Sequence, residues 1–229
     1  MDSYRQYCPV SKAHEILGDR WTMLIVRELI AGQTSFNDIA RGLPGIPRSL
    51  LTNRLRRLEQ KGVVLRTQEK PKRNRYTLTD AGTELKAVVD AMGNWGARWA
   101  FGLPDEAELD PGLLLWRMQN RLNLSELPEG RIVIQFDFRI GAKGYFWFVI
   151  DKAEASVCVT DPGFEIDLDI SADLSAYFQV WLGRKSLAAA RRADEILIDG
   201  PPSLESAFGK WFQWSPMAPL VEKSLERVR

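Results

Sequence analysis

Residues 47–60, PRSLLTNRLRRLEQ, constrain this chain more than any other stretch. At about 100° per residue, Leu50, Leu51, Leu55 and Leu58 fall on one side of a helix. The other side carries Ser49, Thr52, Asn53, Arg56 and Arg57, flanked by Arg48 and Arg54. Pro47 suits the first helical position. Such a helix buries its aliphatic back and leaves a polar, cationic front. Arginine can hold a guanine edge bidentately and asparagine an adenine edge, while Ser and Thr reach phosphates or bases. An ordinary solvated surface helix fits the same pattern, so the helix alone leaves both readings open.

Its neighbours favour nucleic acid. Residues 63–69 and 75–79 read as two strands, joined by the basic tip Lys70, Pro71, Lys72, Arg73 and Asn74. A basic hairpin directly after a polar-faced helix is a winged-helix arrangement. Upstream, a short helix is expected at 11–17 with Ser11 as cap, and a second at 20–31 with Trp21, Leu24, Ile25 and Leu29 at helical spacing. Ser35 is expected to cap a third at 36–41. Asp80 opens a long helix to about residue 100. It carries an apolar stripe of Leu85, Val88, Val89, Met92, Trp95, Gly96 and Trp99. The stripe packs on its own domain or on a second copy. Its length exceeds what a small domain covers, which favours a dimer.

Charge divides the chain. Residues 1–101 hold 17 basic and 10 acidic groups, and residues 102–229 hold 14 and 20. Residues 41–75 alone hold 11 basic and 2 acidic groups. The stretch 102–112, GLPDEAELDPG, has linker composition. The expected domains are therefore 1–101 and 113–229, with 102–112 between them. One histidine, His14, and two distant cysteines, Cys8 and Cys158, exclude a two-histidine zinc site and a CxxC pair. No GxxxxGK[ST] or GxGxxG occurs, and no acid–base pair or partnered nucleophile stands out. No enzyme, metal or cofactor is expected. No apolar run approaches the roughly 20 residues of a membrane span, and the N-terminus lacks a signal peptide's apolar stretch. A cytoplasmic protein without a membrane partner is expected.

The first half resembles a known family. Cys8-Pro9-Val10 is followed by Ile16-Leu17-Gly18-Asp19-Arg20-Trp21-Thr22 and Ile25-Val26-Arg27-Glu28-Leu29. Then come Ser35-Phe36-Asn37-Asp38-Ile39, Leu43-Pro44-Gly45-Ile46, Leu51-Thr52-Asn53-Arg54-Leu55 and Tyr76-Thr77-Leu78-Thr79-Asp80-Ala81-Gly82. Over residues 7–100 this is similar to the HxlR family of bacterial winged helix-turn-helix regulators. The resemblance implies a homodimer, built through the terminal helices of the domain, on palindromic double-stranded DNA. Recognition helices of such a dimer lie about 34 Å apart, one turn of DNA. Direct base reading falls to Ser49, Thr52, Asn53 and Arg56, with Arg48 beside them. Phosphate or minor-groove contact falls to Arg54, Arg57, Lys70, Lys72, Arg73 and Arg75. Several family members sense oxidants or electrophiles at the position Cys8 matches. Cys8 is thus either a redox site or a structural part of the motif. His14 stands where the family usually has an apolar residue.

The second half reads as α+β. A helix is expected at 113–122. Strands follow at 131–139, 144–150, 155–160 and 164–170 in an antiparallel meander, then helices at 172–182 and 187–193. A strand at 195–199 and a final helix through Leu204, Phe208, Trp211 and Phe212 complete it. Asp161, Glu165, Asp167 and Asp169 would form a solvated face. Ile134-Gln135-Phe136-Asp137, Gly144-Tyr145-Phe146-Trp147, Leu174-Ser175-Ala176-Tyr177-Phe178, Gly183-Arg184 and Glu195-Ile196-Leu197-Ile198-Asp199-Gly200 resemble the sterol carrier protein type 2-like fold. The fold expected is α+β throughout: a winged helix-turn-helix domain, then a small sterol-carrier-like domain with an antiparallel-rich sheet and packed helices. That resemblance implies an apolar site for a lipid or other hydrophobic molecule. Its candidate walls are Phe136, Phe146, Trp147, Phe148, Tyr177, Phe178, Trp181, Phe208, Trp211 and Phe212. Plain aromatic core is the alternative. The function expected is a DNA-binding transcriptional regulator adjusted by a hydrophobic ligand. The rivals are redox control through Cys8, with the second domain as dimer scaffold, and a lipid carrier binding acidic membrane.

Overall fold

The computed structural model describes residues 3–70, 73–140, 144–151 and 154–226. They form two compact units, Met1–Gly93 and Asn94–Arg229. The division falls inside a long helix, ahead of the linker expected at 102–112.

The first unit contains helices α1 (Pro9–Leu17), α2 (Thr22–Ile30), α3 (Phe36–Arg41) and α4 (Arg48–Gln60). Strands β1 (Val64–Lys70) and β2 (Arg73–Leu78) pair antiparallel, and α5 (Asp80–Trp99) follows. Helix α1 starts two residues earlier than expected because Pro9 takes the first turn, where a missing N–H costs nothing. Helix α2 starts later than expected: Trp21 sits at φ 78°, so the helix cannot begin before Thr22. The Ser35 cap is as expected, its hydroxyl accepting from the Asp38 N–H at 3.1 Å. Pro47 stands one residue outside α4 rather than in it.

The core of this unit joins Ile25, Val26 and Leu29 of α2, Ile39 of α3, Leu51, Leu55 and Leu58 of α4, and Val64 and Tyr76 of the hairpin. Each helix contributes one apolar stripe. Gly82 in the first turn of α5 lies against the hairpin base. A β-carbon there would sit 2.2 Å from the Val63 carbonyl oxygen, so only glycine permits that approach.

The second unit opens with α6 (Pro111–Gln119), capped by Asp110. Its sheet contains β3 (Ile132–Ile140), β4 (Tyr145–Asp151), β5 (Glu154–Cys158), β6 (Leu168–Asp173) and β7 (Ile196–Asp199), in the order β5-β4-β3-β6-β7. Helices α7 (Leu174–Trp181), α8 (Leu187–Arg192), α9 (Pro202–Ala207) and α10 (Ala218–Glu226) complete it. The last of these was not foreseen.

The expected meander holds for β3, β4 and β5 only. Strand β6 crosses back and pairs parallel with β3. The turn at Asp161, whose carboxylate accepts from the Gly163 N–H at 2.8 Å, starts this return. The Asp167 carboxylate then accepts from the Val133 N–H at 2.8 Å, which seats the chain beside the start of β3. Asp169 accepts from Gln135 Nε2 at 2.7 Å. These two acids therefore hold the sheet together and are not the solvated face expected of them. Neither Glu165 nor Asp167 lies in a strand.

Candidate nucleic-acid interface

Helix α4 sorts its arginines into two groups. Arg48, Ser49, Thr52, Asn53 and Arg56 are exposed. They form one continuous front opposite buried Leu51, Leu55 and Leu58. Arg48 also bridges to α3: its Nη2 donates to Asn37 Oδ1 at 2.8 Å, and its guanidinium lies 4.9 Å over the Phe36 ring. The Thr52 hydroxyl donates to the Arg48 carbonyl at 2.9 Å, a back-bond that leaves its oxygen free to accept.

Arg54 and Arg57 behave differently. They are three residues apart and share one shoulder of the helix. Arg57 ion-pairs Asp19 and donates to the Glu15 carbonyl. Arg54 lies 3.4 Å from the same Asp19 carboxylate and donates to the Arg20 carbonyl at 3.3 Å. Phosphate or minor-groove contact is expected of both, and in the structure both tie α4 to the α1–α2 junction. Asp19 was missed as a partner. The sequence signal was present, as an acid in a stretch otherwise short of them, but nothing in the spacing said which arginines it meets.

Strand β1 of the hairpin packs on α4. Arg75 is exposed, and its Nε donates to Thr34 Oγ1 at 3.2 Å. The Tyr76 N–H donates to the Thr34 carbonyl at 2.8 Å, so β2 is anchored to the approach to α3. Lys70 and Arg73 end their strands, and their side chains lie outside the described residues. Lys72 lies wholly outside them.

A second feature of the first unit is apolar. Val88 and Met92 on α5 face Val10, Leu17, Trp21 and Leu24 across a groove of about 450 Å³. Met92 is more than half exposed, as are Trp95 and Trp99 of the same helix beyond this unit's end.

Cys8 stands at the N-terminus of α1. The backbone N–H groups of Ser11 and Val10, and then the Ser11 hydroxyl, hold its thiol below the ordinary range by hydrogen bonding to the thiolate. The thiol is partly exposed. Both properties that thiolate chemistry needs are therefore present. His14 is exposed, and its Nδ1 is 2.7 Å from the Tyr4 hydroxyl.

The aromatic residues expected to wall a ligand site are mostly packed core. Phe136, Phe148, Tyr177, Phe208 and Trp211 have no exposed surface, and Trp181 and Phe212 are buried with them. The rings meet edge to face: Phe136 with Tyr177 at 5.7 Å, Phe148 with Phe212 at 5.7 Å, and Phe208 with Phe212 at 5.4 Å. Phe146 is half-buried against Phe138, and Trp147 is half-buried beside Tyr145. Phe178, also half-buried, lines a cavity elsewhere in the unit. Among the described residues, the Tyr177 hydroxyl and Trp211 Nε1 are buried without a hydrogen-bond partner.

Comparison with known proteins finds relatives for the first unit. Residues 16–102 match the model of the HxlR-like helix-turn-helix family. YvaP of Bacillus subtilis, an uncharacterised HTH-type transcriptional regulator, is 38% identical over 97 residues, covering 41% of this chain and 90% of that protein. The chain belongs to the HxlR family. An uncharacterised HTH-type transcriptional regulator of Mycobacterium tuberculosis is 43% identical over 89 residues, covering 38% of this chain. The chain spans only 56% of the length of that relative. Among solved structures, the reduced form of the transcriptional regulator YodB from B. subtilis is 35% identical over 42% of this chain and 96% of its own, with a TM-score of 0.37. The HxlR match ends at residue 102 and leaves most of the second unit outside it. Among the described residues, no helix is long and apolar enough to cross a membrane.

Proposed function

We propose that this HxlR-family chain is a transcriptional regulator that binds a palindromic duplex as a homodimer. The observation that carries the reading is the exposed front of α4, made by Arg48, Ser49, Thr52, Asn53 and Arg56, on a helix that packs against the hairpin. Ser49, Thr52, Asn53 and Arg56 read bases. Arg48 and Arg75 contact the backbone, joined by Lys70, Lys72 and Arg73 of the wing. The exposed apolar residues of α5 and the groove beside it support a second copy as partner, since an exposed apolar patch marks an interaction surface. The second unit is read as a sterol-carrier-like domain that takes a hydrophobic molecule and adjusts DNA affinity. Its mixed five-stranded sheet under a layer of helices supports that fold.

Selection of duplexes from a random pool, followed by binding at two salt concentrations, tests the central claim. The expected result is an enriched inverted repeat whose affinity falls steeply with salt, because bound cations release counterions. A pool that yields no sequence preference overturns it. Stronger binding to anionic vesicles than to any duplex favours the lipid-carrier reading instead. Sedimentation of Met92→Lys tests the dimer: a wild type that is dimeric and a variant that is monomeric are expected.

The lowered thiol of Cys8 favours a second reading, in which oxidation at α1 switches DNA binding. Oxidant then alters duplex affinity in the wild type and leaves Cys8→Ser unchanged. Equal responses in the two proteins remove Cys8 from the mechanism.

A further inference from the structure

The second unit holds a cavity of about 420 Å³ away from its aromatic core. That volume lies within the range of small-molecule sites. The segment after α5 forms one wall with Phe101 and Leu103, and α7 with its following turn forms the other with Phe178 and Leu182. Phe101 is 40% exposed and Leu103 73% exposed, so the mouth carries apolar surface.

Arg184 holds the two walls together. Gly183, at φ 77°, turns the chain sharply after α7. Arg184 Nη1 then donates to the carbonyls of Phe101 at 2.8 Å and Gly102 at 2.5 Å. Its guanidinium also lies 5.4 Å over the Phe101 ring. The one basic side chain among the described residues of the wall is thus tied to the loop. Against it stand two acidic side chains, Asp105 and Glu108, for which no ion pair occurs among the described residues. Asp105 and Glu108 form a capping box, each accepting one backbone N–H of the other, the Asp105 N–H reaching Glu108 Oε2 at 2.9 Å. Each carboxylate has a second oxygen beyond the one used in the box. Two aromatic rings and two carboxylates around an apolar space favour a cation over a neutral or anionic guest.

We infer that this cavity binds an organic cation with an apolar body, seated between Phe101 and Phe178 with its charge toward Asp105 and Glu108. The inference refines the ligand part of the reading above by giving the ligand a place and a charge. It does not depend on DNA binding.

Tetraphenylphosphonium and tetraphenylborate are nearly identical in shape and opposite in charge. Calorimetric titration of the full chain with each probe therefore isolates the electrostatic preference. The cation is expected to bind about tenfold or more tightly than the anion, with the preference shrinking as salt rises. The double variant Asp105→Asn/Glu108→Gln keeps both capping groups, since Asn and Gln serve those positions. It is expected to lose the preference while retaining the fold. Equal binding of the two probes, or a cation preference that survives the double substitution, overturns the assignment. Cation binding that leaves duplex affinity unchanged keeps the site and removes only the regulatory role.

Discussion

Arg57, on the inner shoulder of α4, is ion-paired to Asp19, which lies just beyond the end of α1. The same carboxylate takes Arg54. One acid thus decides that two of the arginines on α4 serve the protein and leaves the others to the solvent front.

Asp19→Ala is expected to destabilise the chain by about 1–3 kcal/mol, because it strands two partly buried guanidinium groups. Urea unfolding measures this. A cycle with Arg57→Ala should show coupling of about 0.5 kcal/mol or more. Strict additivity would mean the contact carries no energy.

Arg56 makes the opposite prediction. It is exposed, so Arg56→Ala should leave stability within about 0.5 kcal/mol of wild type. Its cost on the selected duplex should be about 1–3 kcal/mol, with a smaller loss on random DNA. Equal losses on both would make Arg56 a phosphate contact rather than a base reader.

For Cys8 the lowered thiol value means that thiolate appears at a lower pH than in a free cysteine. The rate of alkylation by iodoacetamide, followed against pH, should have its midpoint below that of a cysteine peptide. Ser11→Ala should move the midpoint up, since one hydrogen bond to the sulfur is lost. Cys158→Ser in the background keeps the readout specific.

Tyr177 has no exposed surface, and burial pushes its phenol far above the ordinary value. In the unfolded chain it ionises near its ordinary value of about 10. The folded state therefore keeps full stability below about pH 10 and loses it as pH rises further. Tyr177→Phe should remove that component of alkaline unfolding. At neutral pH it should be neutral or stabilising by up to about 1 kcal/mol, because the hydroxyl it deletes has no partner among the described residues. An identical alkaline profile in the two proteins would contradict this.

Much of the first unit was legible in the sequence because its signals are local. Leu51, Leu55 and Leu58 recur at helical spacing, Ser35 precedes a helix it caps, and two β-rich runs flank a basic tip. Each follows from the geometry of one element. The second unit was less legible. Its strands announced themselves by alternation, but alternation does not name a partner. The return of β6 to pair parallel with β3 rests on Asp167 meeting the Val133 N–H, two groups 34 residues apart.

The sequence by itself determined the order of elements, the polar front of α4, the basic hairpin and the apolar stripe of α5. These follow from periodicity, which fixes where a side chain points relative to its own helix or strand. Only the tertiary structure decided which arginines face outward, that Phe136, Tyr177 and Trp211 fill a core rather than wall a cavity, and that Arg184 closes a separate cavity beside Phe101. Those outcomes depend on which surfaces meet across long stretches of chain. Burial and charge neutralisation settle them together, and no single segment carries that information.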